Sequence, residues 1–182
     1  MNQPDRKVAP IIKDAVEYQL NLKKVETTTL RNGLTVYHVQ AGAQEVVQIE
    51  FVFFSGNNFQ KQKGIAAATN FLLKNGTHSK NAFEINETFD FYGAFCSRAC
   101  YNETAVVTLH TLSRYLPQLL PVLREMITEA VFPEDELATF RQNSRQKLAV
   151  NLKKCEVVAN RLIDERLYGS AHPYGKYLVA AD

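Results

Sequence analysis

The residues best suited to metal binding or nucleophilic chemistry in this 182-residue chain are four histidines and three cysteines. The histidines are His38, His78, His110 and His172, and none has another histidine or a cysteine within four positions. No local ligand pair is therefore offered. Cys96 and Cys100 lie four apart in a stretch that reads as a strand, which places both on one face. With a turn near Asn102, His110 is expected roughly opposite Cys96. Three soft ligands there would make a zinc site. The competing reading is two small thiols beside a core histidine, because a free cysteine packs as a small hydrophobe. His78 follows Asn75-Gly76-Thr77 and reads as a solvated loop residue. His172 precedes Pro173 and reads as part of a turn. Glu84, Glu87 and Asp90 share the i, i+3, i+6 spacing of a solvated helix face. Glu134, Asp135 and Glu136 follow Pro133, where the helix dipole favours acids. Arg141, Arg145, Lys153 and Lys154 read as a solvated basic face. No phosphate loop, G-x-S-x-G elbow or C-x-x-C pair occurs.

These residues sit in elements that the hydrophobic period defines. Residues 1–24 mix prolines, charges and scattered apolar side chains and read as an N-terminal arm. Glu26 to Leu30 and Leu34 to Gln40 flank Asn32-Gly33, the dipeptide of a tight hairpin turn. The apolar run from Val46 to Phe54 is expected to be a central strand covered on both faces, ended by Ser55-Gly56. Helical spacing starts at Gly64 and stops at Asn75-Gly76. Asn81 starts a second helix that stops at Gly93. Phe95 to Cys100 and Thr104 to Leu112 form a second hairpin around Tyr101-Asn102-Glu103. Ser113 is an expected N-cap for the next helix, with Pro117 and Pro121 in its first turns. Pro133 opens a further helix through Leu152. A last one spans about Val157 to Tyr168. The order β-β-β-α-α-β-β-α-α-α predicts a two-layer α+β domain, mainly antiparallel, with helices on one sheet face.

Hydrophobic residues make up 46% of the chain and charged residues 22%, which excludes a mainly disordered or collagen-like chain. The formal net charge of +2 carries no footprint for nucleic acid or an anionic membrane. Every apolar run is too short to cross a bilayer. An odd number of cysteines and the lack of an N-terminal apolar h-region predict a cytoplasmic protein. The chain reaches Ala180-Ala181-Asp182 without a closing strand, so a fragment of a longer protein is expected.

Several stretches together resemble the M16 peptidases, the pitrilysin, insulinase and mitochondrial processing peptidase family. Leu30-Arg31-Asn32-Gly33-Leu34-Thr35-Val36 is similar to that family's L-x-N-G-L-x-V opening hairpin. Phe51 to Gly56 is similar to its third strand, and Gly64 to Thr77 to its signature helix, which ends in Gly-Thr. Tyr92-Gly93-Ala94, Asn102-Glu103-Thr104, Phe132-Pro133 and His172-Pro173-Tyr174-Gly175 continue the series in order. The resemblance implies the LuxS/MPP-like metallohydrolase fold, with residues 25–182 as an N-terminal domain that stops before its closing elements.

Its most informative part is a departure. Active members carry H-x-x-E-H on the signature helix, two zinc ligands and a general base. Aligned on Gly64 and Gly76-Thr77, those positions are Ala67, Asn70 and Phe71. The family's third ligand, a glutamate, would fall near Gln146 to Leu148, where no acid stands. The resemblance thus implies a metallopeptidase homologue that is inactive alone, with neither catalytic residues nor bound zinc. Such a chain is expected to be the inactive subunit or half of a heteromeric peptidase. Its partners would be an active M16 subunit, a C-terminal domain and peptides, with neither nucleic acid nor membrane. The peptide-binding edge strand corresponds to Phe95, Cys96, Ser97, Arg98, Ala99 and Cys100, where a peptide adds as a further strand. The alternative is a structural or assembly protein that retains only the fold.

Overall fold

The computed structural model describes residue 16 and residues 20–179. The arm expected over residues 1–24 falls mostly outside them. The chain divides into two compact units, one up to Gln44 and one from Glu45 onward.

The first unit holds a hairpin of β1 (Glu26–Thr29) and β2 (Thr35–His38), paired antiparallel with Glu26 opposite His38. Gly33 has φ +82°, the left-handed conformation that its turn needs. Asn32 Oδ1 accepts from Leu34 N at 3.1 Å and closes the turn. His38 Nε2 lies 3.1 Å from Glu26 Oε2 across the strand pair.

The second unit contains β3 (Val46–Phe53), α1 (Ile65–Leu72), α2 (Ala82–Phe91), β4 (Phe95–Cys100), β5 (Ala105–Leu112), α3 (Leu116–Thr128), α4 (Glu134–Asn151) and α5 (Cys155–Tyr168). One 3-10 turn, Ser113–Tyr115, leads into α3, and another, Pro173–Gly175, follows α5. The element order is therefore the expected one, and the fold is α+β with antiparallel strands.

The sheet of this unit has the order β3-β5-β4, antiparallel throughout. This corrects one expectation. Within its unit β3 is an edge strand, no residue of it is buried, and the central position belongs to β5. The reason lies in the alternation. In β5, Ala105, Val107, Leu109 and Thr111 are buried while the residues between them are half-buried, as a strand with two neighbours and one core face requires. In β3 the face of Val47, Ile49, Phe51 and Phe53 is apolar while Gln48 and Glu50 stand exposed on the other, and the apolar content alone mimicked a central strand.

The core forms where this sheet face meets the helices. Cys96, Val107 and Leu109 pack with Ile85 and Phe89 of α2 and with Leu119, Val122, Leu123 and Met126 of α3. Asn81 caps α2 through a capping box: its side chain accepts from Glu84 N at 3.0 Å, and Glu84 Oε2 accepts from Asn81 N at 2.8 Å. Glu84 thus has a capping role beyond that of a solvated face. Pro117 stands at the start of α3, where a missing N–H costs little, but Pro121 is its sixth residue, past the first turn. Among the described residues no helix is long and apolar enough to cross a membrane.

Candidate functional site

Helix α1 is set by its two ends. Gly64 enters it at φ +86°, and Gln60 Oε1 accepts from Ala66 N at 3.1 Å in the first turn. After its last turn, Gly76-Thr77 leads away, and Thr77 bridges to Ala130. The bracket that fixes this exit is polar. Glu125 of α3 accepts from Lys80 at 2.8 Å, from Thr77 at 2.5 Å and from Ser79. Hydrogen bonds from Lys80, Ser79 and Thr77 hold its pKa down at about 2.

On this helix the three positions expected to match the metal motif have clear surroundings. Ala67 offers a methyl group to the wall of a cleft. Asn70 is 5% exposed, and its amide Nδ2 lies 3.5 Å from Val106 O of β5. Phe71 stacks on Phe140 of α4 with ring centroids 5.1 Å apart. The Arg98 guanidinium lies 5.1 Å from the Phe71 ring centre. Its Nη1 donates to Phe71 O, at the C-terminal turn of α1 where carbonyls lack helical partners. Burial pushes the Arg98 pKa down, and its Nε is buried without a hydrogen-bond partner among the described residues.

A zinc ion does not fit this donor set. A methyl group and a phenyl ring supply no lone pair, and a buried amide is no general base. On α4, Gln146 and Lys147 are exposed and Leu148 is buried, so these three positions supply no carboxylate.

The cysteine–histidine site is overturned by strand register. Phe95, not Cys96, stands opposite His110, and Cys96 stands opposite Leu109. Residues directly opposite share a face, so His110 faces away from both Cys96 and Cys100. The His110 ring instead lies 6.1 Å from that of Phe95. Among the described residues no group of three or more His, Cys, Asp or Glu could hold a metal ion.

The expected peptide-binding stretch, Phe95 to Cys100, is β4, which pairs only with β5 within its unit. Cys96 and Arg98 turn to the helix-covered face, and Phe95, Ser97 and Ala99 to the other. His172 takes the turn role: its Nδ1 accepts from Tyr174 N at 3.2 Å, and its ring stacks on Tyr168 at 5.4 Å. Tyr174 then donates to Glu103 at 2.5 Å, tying this turn to the β4–β5 hairpin. Arg98, Glu125 and the cleft beside Ala67 escaped sequence reasoning. Their partners lie tens of residues away, and no local spacing signals them.

An antiparallel sheet packed against helices defines an α+β domain. The chain belongs to peptidase family M16: the family described as Insulinase (Peptidase family M16) matches residues 35–176. It is 26% identical over 157 residues to an uncharacterised zinc protease of Rickettsia felis, covering 84% of this chain and 37% of that one. It is 23% identical over 163 residues to a probable mitochondrial-processing peptidase subunit beta of Schizosaccharomyces pombe, covering 87% of this chain and 35% of that one. Among solved structures it is similar to a peptidase M16 inactive domain from Pseudomonas fluorescens. The TM-score is 0.78 and the identity 26%, over 84% of this chain and 38% of that one. A protease from Helicobacter pylori shares the fold, with TM-score 0.64 and 21% identity over 85% and 38% of the two chains. The chain thus spans little more than a third of the length of these relatives.

Proposed function

We propose that this chain is a non-catalytic M16 domain, the inactive half of a heteromeric zinc peptidase, which shapes the chamber and holds peptide along β4. One observation carries the reading. The three motif positions on α1 are a methyl group, a buried amide tied toward Val106 and a phenyl ring stacked on Phe140. These are packing roles, and a single reversion would not undo them. The likeness to a structure described as an inactive M16 domain supports the same reading. The outer edge of β4, unpaired within its unit among the described residues, supports peptide binding by strand addition. The active subunit and a C-terminal domain supply what this chain lacks. Three free cysteines, one of them buried, suit a reducing compartment, and we assign the protein to the cytoplasm.

One feature favours the alternative of a structural or assembly protein. Arg98 is an inward-pointing charge on an edge strand, a device that discourages strand addition. Peptide titration separates the two: binding supports the peptide-holding role, and its absence supports the assembly role.

Exposure of the purified chain to one equivalent of zinc, then gel filtration and elemental analysis, tests the loss of the metal site. No retained zinc and no peptide hydrolysis are expected. Stoichiometric zinc would overturn the reading.

A further inference from the structure

A cleft of about 810 Å³ opens beside Ala67, and its walls differ in charge from the chain as a whole. Four of its lining residues are cationic, Lys61, Lys63, Arg161 and Lys176, against one acid, Asp164. The chain overall carries a formal charge of only +2.

The cations divide by task. Lys63 Nζ donates to Tyr177 O at 3.0 Å. Arg161 donates to Leu178 O at 3.3 Å and lies 4.9 Å from the Tyr177 ring centre. These two hold the segment after α5 as one wall of the cleft. The single acid, Asp164, accepts from the Tyr177 hydroxyl in the same wall. Lys61 and Lys176 both line the cleft, far apart in sequence, and form no ion pair with any described residue. A concave, low-dielectric wall strengthens the field of such charges. Another part of the lining is fastened by backbone. Asn57 N donates to Tyr101 O at 2.9 Å and Asn58 N to Asn102 O at 2.8 Å, so the loop after β3 is fastened to the β4–β5 turn.

We infer that this cleft binds an acidic peptide segment, its carboxylates set between Lys61 and Lys176. The inference goes beyond the peptide-holding role proposed above, because no residue of β4 lines this cleft and the acidic segment is held apart from that strand. A peptide fits better than a small anion for two reasons. The volume lies in the range of sites for extended organic ligands. The cations are spread over a loop, a helix and a terminal segment instead of converging on one point, and asparagine amides and tyrosine rings fill the spaces between them.

The chain has no tryptophan, so a peptide carrying one reports its own binding by fluorescence. Three peptides of equal length, differing only in acidic, uncharged or basic side chains, are titrated into the chain. The acidic peptide is expected to bind roughly 10-fold tighter than the uncharged one, with the preference weakened by salt. The double change Lys61→Glu and Lys176→Glu removes this preference. Lys153→Glu with Lys154→Glu makes the same charge change outside the cleft and retains it; circular dichroism checks that both variants fold. Equal binding of all three peptides, or equal losses in both variants, would overturn the acidic preference and leave the peptide-holding role standing. Failure of all three to bind would overturn that role as well. Displacement of the acidic peptide by an equal concentration of inorganic phosphate would assign the cleft to a small anion and reject the peptide.

Discussion

Phe71 and Arg98 show how a helix that resembles a catalytic one has become a packing element. The phenyl ring lies between Phe140 and the guanidinium, and the same guanidinium donates to the carbonyl of Phe71. A cation there also opposes the negative end of the α1 dipole. Arg98→Ala removes the charged hydrogen bond and the ring contact together. It is expected to cost about 2 kcal/mol, read as a fall of roughly 4–8 °C in melting temperature. An unchanged melting temperature would show that the contact contributes nothing. Arg98→Met, which keeps an apolar stem over Phe71 and leaves no orphaned Nε, is expected to recover part of the loss. Nothing near Arg98 in the sequence marks this role, because Phe71 lies 27 positions away.

The loops between helices and strands are held by contacts that allow little change. Gly56 is the clearest case. A Cβ there would stand 2.5 Å from Tyr101 O and 2.6 Å from both Asn102 O and Thr104 N. Gly56→Ala must push the loop off the β4–β5 turn, at about 1–3 kcal/mol, and it is expected to weaken peptide binding in the adjoining cleft. Chemical denaturation with peptide titration checks both effects. The bracket around Glu125 works differently, through charge. Its folded pKa of about 2 lies below the ordinary 4.5, so its contribution is fully present above pH 4.5 and fades as pH falls toward 2. Glu125→Gln should therefore be less stable than the native chain at pH 7, with the gap narrowing through that acidic window. Denaturant midpoints at a series of pH values test it, and a constant gap would reject the role of charge. The element order was legible because each boundary has a local cause, such as the Asn81–Glu84 capping box or the turn at Asn32-Gly33. Pro121 shows the limit: its place within α3 depends on the preceding 3-10 turn, which no single residue announces.

For the protein as a whole, the proposed role requires a partner. The chain spans little more than a third of its relatives, and the proposed reading assigns no zinc ligand to α1. Co-expression with an M16 homologue that carries H-x-x-E-H is expected to yield one species on size-exclusion chromatography, with zinc and activity residing in the partner. Two separate species would count against the heteromeric role. Phe83 and Phe91 of α2 and Phe95 of β4 are exposed apolar side chains available for such a contact.

Residue types and local patterns were enough to reveal the family, the order of strands and helices, and the chemical poverty of Ala67, Asn70 and Phe71. Each of these follows from residue types and short spacings, since a methyl or phenyl group cannot bind zinc in any fold. Three other matters depend on long-range packing, and the structure resolves them. It placed β5 rather than β3 at the centre of its sheet, because apolar content does not reveal how many neighbours a strand has. It separated His110 from Cys96 and Cys100, because a shift of one residue in register sends a side chain to the other face. And it gathered Lys61, Lys63, Arg161 and Lys176 around one cleft, because long-range folding, not spacing, sets where distant charges meet.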